Sequence, residues 1–352
     1  MEYPYSKVET LNMAETTKLY TNVKVGKPKD GVVEIHGEIP AETMELHRKD
    51  VLLEVRQEVE VPGFRKGNVP EELVLKQIDM NHVLEDAAEE ALGVAYPMIL
   101  DEYSLVPQSS PRVTIVKLAL GAPLEFKIAF AVEPEVSLPN YKKIAKAVKE
   151  KKTEIEVTDQ EVADIIAQVT TMRGDKDGKP AELTEEFVKT LGVFESVADF
   201  KAKLRENIAK EKEMDARRAR YETIAGELVK EAKVKLPLPL IEDELYAAHT
   251  RLHQELEKRK MSEEEYFKLI KKTEEEFMKE KREGVEKQLK TKFVLKAIAA
   301  KENIKPEEKE IEQELQHAQK HYPNTEAEKF RGYIEEMLTN EKTLVFLEKA
   351  EW

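Results

Sequence analysis

Cysteine is absent from this 352-residue chain, which excludes disulfides, thiol catalysis and Cys-ligated zinc or iron–sulfur sites. Glycine is scarce, at 13 residues, so few tight turns are available and most of the chain is expected to be helical. No apolar run reaches the ~18 residues that a membrane-spanning helix needs, so no membrane segment is expected. The N-terminal stretch from Met1 to Tyr20 has no basic segment leading into an apolar one and does not read as a signal peptide. The default compartment is then the cytoplasm.

What is abundant is charge. Charged residues make up 36% of the chain and hydrophobic residues 41%, and 57 Lys plus Arg against 71 Asp plus Glu leave a formal net charge of −14. There is enough apolar content for a core under a heavily charged surface. An acidic body repels nucleic acid unless its basic residues are segregated, so no sequence-specific nucleic-acid partner is expected. The length fits two or three domains.

Residues 1–18 read as a polar, flexible extension. Two strand patterns follow: Leu19, Thr21, Val23 and Val25 share one face, as do Val33, Ile35, Gly37 and Ile39, and Lys29-Asp30-Gly31 between them marks a hairpin turn. Pro40-Ala41-Glu42 opens a helix reaching Val59, striped by Met44, Val51, Leu52, Val55 and Val59. A second helical region, from Glu71 to about Tyr103, carries Leu73, Val74, Ile78, Val83, Leu84, Ala87, Ala91 and Leu92, with a break or kink expected from Gly93 and Pro97. Two more strands follow, the clearer running from Leu124 to Val132 in alternation. Residues 19–133 therefore form an α+β domain of two hairpins with helices between them. A linker and the start of the next domain occupy 134–194, with linker character to about Lys152 and a capped helix from Thr158 to near Arg173, where Thr158 and Glu161 have capping-box spacing. Residues 195–352 are charged helix, over 195–233, 239–260, 262–303, 306–321 and 325–348, with prolines 237, 239 and 306 as separators. Their apolar stripes are too irregular for a sustained coiled coil and fit a helical bundle with partly exposed arms.

Catalytic signatures are weak. Gly174 to Lys179 has three residues between its glycines where a phosphate loop needs four, and Pro180 stands where Ser or Thr belongs. Asp175-x-Asp177-Gly178 lacks the other carboxylates of a calcium loop; both read as a polar turn. His249 with His253, and His317 with His321, are four apart on helices, a spacing able to hold a metal, but no HExxH glutamate accompanies them and they read as solvated surface residues. The expectation is no metal, no cofactor and no catalytic residue. Glu255–Arg259 typifies solvated i,i+4 pairs. Met261, Phe267, Phe277, Met278 and Met337 fit either core or an exposed apolar surface.

The distinctive segment is Pro62 to Pro70. Gly63 and Gly67 permit sharp turning and close approach, and between them stand Phe64, Arg65 and Lys66, an aromatic anchor beside two cations. On these residues alone, a protruding recognition loop and an interhelical turn with Phe64 tucked inward weigh equally.

The run Gly63-Phe64-Arg65-Lys66-Gly67-Asn68-Val69-Pro70 resembles the signature loop of bacterial trigger factor, the family of ribosome-associated chaperones. Phe126 to Val136 resembles the strand closing that family's N-terminal domain, Phe187 to Gly192 the resumption of its C-terminal domain, and Val197 to Leu240 its first arm helices. The resemblance covers roughly residues 20–350. It implies an α+β ribosome-binding domain followed by a mainly α, elongated, multi-helix domain with arms. Gly63, Phe64, Arg65, Lys66, Gly67 and Pro70 would dock on the large ribosomal subunit, on a protein beside the nascent-chain exit, and the arms would cradle unfolded nascent polypeptides without ATP. A homodimer of the free chain is a further implied partner, and an off-ribosome holdase is the alternative reading. One departure is large. The family's FKBP-type prolyl isomerase domain, about a hundred residues, would lie where only Gly174 to Pro180 stand, so no isomerase activity is expected.

Overall fold

A computed structural model describes residues 19–59, 73, 78–149, 156–174, 179–321 and 327–349. By compactness the chain forms two units, one of residues 1–135 with 235–286 and one of residues 136–234 with 287–352. The helices read as a single segment from 195 onward are thus distributed over both.

In the first unit, β1 (Thr21–Val25) and β2 (Val32–Ile39) form the expected hairpin, and β3 (Arg112–Lys117) and β4 (Leu124–Ala131) form the second. They join in one antiparallel sheet of order β1-β2-β4-β3. The first turn has Asp30 and Gly31 both at positive φ, 52° and 77°. The Asp30 carboxylate pairs with Lys235, and a Cβ on Gly31 would strike the ring of Pro237, so a side chain there is excluded twice over. β2 and β4 pair over eight residues, with Gly37 opposite Phe126. Their inward residues, Val33, Ile35, Gly37 and Ile39 on one strand and Leu124, Phe126, Ile128 and Phe130 on the other, are buried.

Two helices cover this face. α1 (Ala41–Glu58) contributes Met44, Val51 and Leu52, and α2 (Met80–Glu102) contributes Val83, Ala87, Ala88, Ala91, Leu92, Ala95 and Ile99. The expected break at Pro97 does not occur, and α2 runs through it. Proline there costs one hydrogen bond, but Ala95 and Ile99 on either side are buried, and their packing keeps the helix continuous across the gap. Asp79 caps α2, its carboxylate accepting from the Asn81 N–H. Three helices complete the unit: α7 (Leu238–Arg259), α8 (Glu263–Ile270) and the first part of α9 (Glu274–Glu302). The start of α7 is fastened to the sheet. Glu242 pairs with Arg112 at 2.6 Å, and the Asp243 carboxylate accepts from the Ser110 N–H at 2.6 Å.

The second unit holds β5 (Val136–Ser137), α3 (Tyr141–Lys149), α4 (Asp159–Met172), α5 (Glu185–Leu191), α6 (Val197–Glu231), β6 (Lys233–Val234), the rest of α9, α10 (Glu308–His321) and α11 (Ala327–Lys349). The stretch expected as a linker is therefore structural. β5 pairs with β6, and α3 buries Tyr141, Ile144 and Ala145 against Ile224 and Leu228 of α6, Val294, Leu295 and Ile298 of α9, and Leu347 of α11. The Thr158–Glu161 capping box forms as expected. Lys212 binds Glu161 at 2.5 Å and, with the Thr158 N–H, lowers its carboxyl to about 2. The single helix expected over 262–303 is two. Lys271 adopts the left-handed conformation at φ 55°, and a second reciprocal cap starts α9: the Thr273 hydroxyl accepts from the Glu276 N–H while the Glu276 carboxylate accepts from the Thr273 N–H.

One ion network closes the second unit. Glu348 of α11 accepts from Arg220 at 2.6 and 3.0 Å and from Arg217 at 3.1 Å on α6. These groups line a cleft of about 410 Å³ with Val148, Glu213, Ile224 and Lys349. Burial pushes the Glu348 carboxyl upward, but the hydrogen bonds and charges of its partners outweigh it and the net shift is downward.

Two outcomes are expected. A Cβ on Gly37 would lie 2.6 Å from the Phe126 ring, so Gly37→Ala should destabilise the first unit by about 1–3 kcal/mol through overpacking. Phe126→Leu in the same chain should recover part of that loss, read as the coupling in a urea-unfolding double-mutant cycle. Glu348→Ala should destabilise the second unit by about 1–3 kcal/mol by stranding Arg220. Because the folded Glu348 carboxyl is depressed, this contribution is complete above the ordinary carboxyl range and lost as pH falls through the folded value. The difference in melting temperature between parent and variant should be largest at pH 7 and shrink towards pH 3.

Candidate functional site

The candidate recognition residues of the sequence fall between α1 and α2. Gly63, Phe64, Arg65, Lys66, Gly67 and Pro70 lie outside the described residues. The frame that carries them is described. α1 ends where the Val59 N–H donates to the Val55 carbonyl and Val59 itself turns extended. Val55 on one side and Ile78 on the other pack against the core. The two helices pack together, tied at the surface by His47 and Glu90, 3.4 Å apart. Burial outweighs His47 in raising the Glu90 carboxyl. Both ends of the intervening segment are therefore anchored to one rigid layer.

A second feature was missed at the sequence level. β3 is an edge strand, and all six of its residues are exposed. Val113, Ile115 and Val116 present apolar surface on both faces, and Val106 and Leu120 extend it. Natural edge strands are usually blunted by charge, proline or cover. Here Arg112 and Lys117 at the two ends provide the only charges on the strand. The signal was the run Val-Thr-Ile-Val, β-branched throughout but without the polar alternation that flagged β4. Other exposed apolar residues include Leu46 and Leu53 on α1, Val94 and Met98 on α2, and Leu238, Tyr246 and Leu269 in the first unit, and Met172, Val193, Met214, Tyr333 and Met337 in the second. Of the Met and Phe residues that fitted core or surface, Phe277 is buried, Met261, Phe267 and Met278 are half-buried, and Met337 is exposed. Tyr266, Phe267 and Phe277 pack ring against ring with centroids 5.5–6.0 Å apart.

The histidine pairs part company. The side chain of His321 lies outside the described residues. His249 and His253 do share one face of α7, with ring centroids 4.5 Å apart, and the structure brings Glu263 of α8 to them. Its Oε1 is 3.6 Å from His249 Nε2 and 3.1 Å from His253 Nε2. No spacing rule connects His253 to Glu263. The turn between the helices does, through the left-handed Lys260 that ends α7 and the Ser262–Glu265 capping box that starts α8.

Asp175, Asp177 and Gly178 lie outside the described residues. The ends of that segment nearly touch. The Ala181 N–H donates to the Thr170 carbonyl at 3.0 Å, and a Cβ on Gly174 would strike the Lys179 carbonyl.

The model of the bacterial trigger factor protein matches residues 21–169, and the model of the bacterial trigger factor C-terminus matches residues 196–350. The trigger factor of Carboxydothermus hydrogenoformans is 25% identical over 374 residues, covering 80% of this chain and 87% of that protein. That of Moorella thermoacetica is 27% identical over 347 residues, covering 74% and 78%. In both, the aligned length exceeds the part of this chain that takes part by the size of a small domain, so each relative carries residues with no counterpart here. A solved trigger factor chaperone, studied for promiscuous substrate recognition in folding and assembly, superposes with a TM-score of 0.54 at 16% identity. It covers 94% of this chain and 100% of that one, which shows a shared fold: an α+β N-terminal region followed by a multi-helix remainder. The family models together take in most of the sequence, and the chain belongs to the bacterial trigger factor family.

Proposed function

We propose that this chain is an ATP-independent molecular chaperone that docks at the nascent-chain exit of the large ribosomal subunit and holds newly made polypeptides on exposed apolar surface while they fold. The observation that carries the reading is the loop Gly63 to Pro70 in a chain of this family. Phe64 serves as apolar anchor, Arg65 and Lys66 pair with carboxylates or phosphates of the docking site, and Gly63, Gly67 and Pro70 shape the loop. The anchored frame of α1 and α2 supports it, because a docking loop on a rigid layer loses less entropy on binding. A body of net charge −14 stays off ribosomal RNA while this short basic segment engages. The working compartment is the cytoplasm, and the free chain pairs with a second copy of itself.

Holding fits the exposed residues of β3, α7 and α8. Burying apolar client surface contributes about 25 cal/mol per Å², and ordering a flexible client offsets much of it, so each contact is weak and release needs no nucleotide. A second reading keeps this holding surface and discards the ribosome. It is favoured by the same exposed strand, which requires no docking to act.

We infer further that the chain does not catalyse prolyl isomerisation. The close approach of Gly174 to Lys179 and the residues of the relatives that have no counterpart here support placing the missing block at 174–180.

Co-sedimentation with salt-washed ribosomes tests docking. The parent chain should pellet with ribosomes, and the triple variant Phe64→Ala, Arg65→Ala, Lys66→Ala should stay in the supernatant with unchanged circular dichroism and unchanged suppression of aggregation. Equal pelleting, or none by either, would transfer the assignment to the off-ribosome holdase. In refolding of a proline-limited client, catalytic amounts of the chain should leave the slow phase at its uncatalysed tens of seconds or longer; a clear acceleration would refute the missing-isomerase reading.

A further inference from the structure

The geometry points to a divalent transition-metal site, of the zinc class, formed by His249, His253 and Glu263. The three offer one ligand atom each, all within 4.8 Å of one another. Two ligands held about 2.0–2.1 Å from a tetrahedral ion lie roughly 3.3–3.4 Å apart. The Glu263 Oε1 distances of 3.1 and 3.6 Å to the two Nε2 atoms bracket that separation. The third separation, between the two imidazole ligand atoms, is within 4.8 Å, so a modest rotation of the histidine side chains would close the set on an ion.

Three further observations separate this arrangement from ordinary surface residues. Glu263 Oε1 is buried and has no hydrogen-bond partner among the described residues, although the residue as a whole is half-buried. A carboxylate oxygen in that position is costly to leave unmatched, and a cation between it and the imidazoles matches it. No Lys or Arg among the described residues forms an ion pair with Glu263, although α7 and α8 are rich in both. The scaffold on each side is also fixed. His249 and His253 are one turn apart on a continuous 22-residue helix, and Glu263 is the first residue of α8, held by the capping box.

Two imidazoles and one carboxylate are borderline to hard donors, which suit zinc, cobalt or nickel rather than calcium or magnesium. The histidines are about 40–50% exposed, so a bound ion keeps water in its remaining position. Its effect would be mechanical: a clamp joining α8 to the face of α7 across the turn at Lys260.

Cobalt(II) titration of the untagged, chelator-treated chain tests the site, since a chain without cysteine has no thiolate band to confuse the visible spectrum. One equivalent is expected to give a visible ligand-field band, displaced by Zn²⁺ added in competition. His249→Ala, His253→Ala and Glu263→Gln should each weaken binding tenfold or more with unchanged circular dichroism, and zinc should slow hydrogen exchange in residues 263–270 of the parent chain alone. The assignment is overturned if the three variants bind as the parent does, if binding is lost instead in His317→Ala, or if no band develops at micromolar protein and metal.

Discussion

The first unit depends on the register of β2 against β4. Eight residues of each strand are paired, and the period of two sends Ile35, Ile39, Phe126, Ile128 and Phe130 into one face. A slip by one residue would turn all of them to solvent. Gly37 sits opposite Phe126 and leaves room for its ring, so this pair discriminates against the slipped alternatives. The rest of the unit hangs from these two strands. α1 leaves β2 after Pro40, α2 packs over the same face, and the β1–β2 turn receives Pro237 at the entrance to α7. The segment carrying Phe64, Arg65 and Lys66 is therefore attached at both ends to helices whose positions this one pairing decides.

Much of this was legible because one buried face imposes a simple period. The β2 and β4 alternations matched the buried residues, and the helix stripes found Met44, Val51 and Leu52 of α1 and Val83, Leu84, Ala87, Ala91 and Leu92 of α2 but not the buried Ala88, Ala95 and Ile99. Other features were hidden for physical reasons. Residues 134–152 contain a regular stripe, Tyr141, Ile144, Ala145 and Val148, but it is short and set among lysines, and its meaning comes from α6, α9 and α11, which are distant in sequence. The break between α8 and α9 carries neither glycine nor proline; Lys271 takes the left-handed conformation unaided, and only the Thr273 to Glu276 spacing marked it. Pro97 does not end α2, because the buried Ala95 and Ile99 on either side offset the loss of one hydrogen bond, and that burial is not visible in the local sequence. For the candidate metal cluster the histidine spacing was visible and the carboxylate was not, since a turn rather than a periodicity supplies Glu263.

Apolar residues of α7, α8 and the start of α9 fall into two groups. Tyr266, Phe267 and Phe277 pack with one another, and Leu256 is buried beneath the turn. They hold α7, α8 and the start of α9 together, with Phe277 and Leu256 buried and Tyr266 and Phe267 half-buried. The exposed remainder, Leu238, Tyr246 and Leu269, is scattered, whereas Val113, Ile115 and Val116 are exposed together on β3. Many cations on the described helices are committed to nearby carboxylates, as in Lys210–Glu206, Arg259–Glu255 and Arg282–Glu286. Pairs of this kind contribute little stability, but they leave a surface with small local fields, against which an adjacent Arg65 and Lys66 would stand out.

The connection at 174–180 bears on how the functions of such a chain separate. A domain can be inserted into or removed from another only where the chain leaves and returns at nearly the same point. The Thr170–Ala181 hydrogen bond and the near contact of Gly174 with Lys179 show such a point, at the end of α4 and before α5. The core of the second unit is drawn from α3, α6, α9 and α11, so nothing in that core depends on what occupies the connection. The surfaces proposed for docking and holding, the loop between α1 and α2 and the edge at β3, belong to other parts of the chain. A chain closed directly at this point would keep the surfaces to which the proposed holding is assigned, and would forgo only what a domain inserted there had supplied.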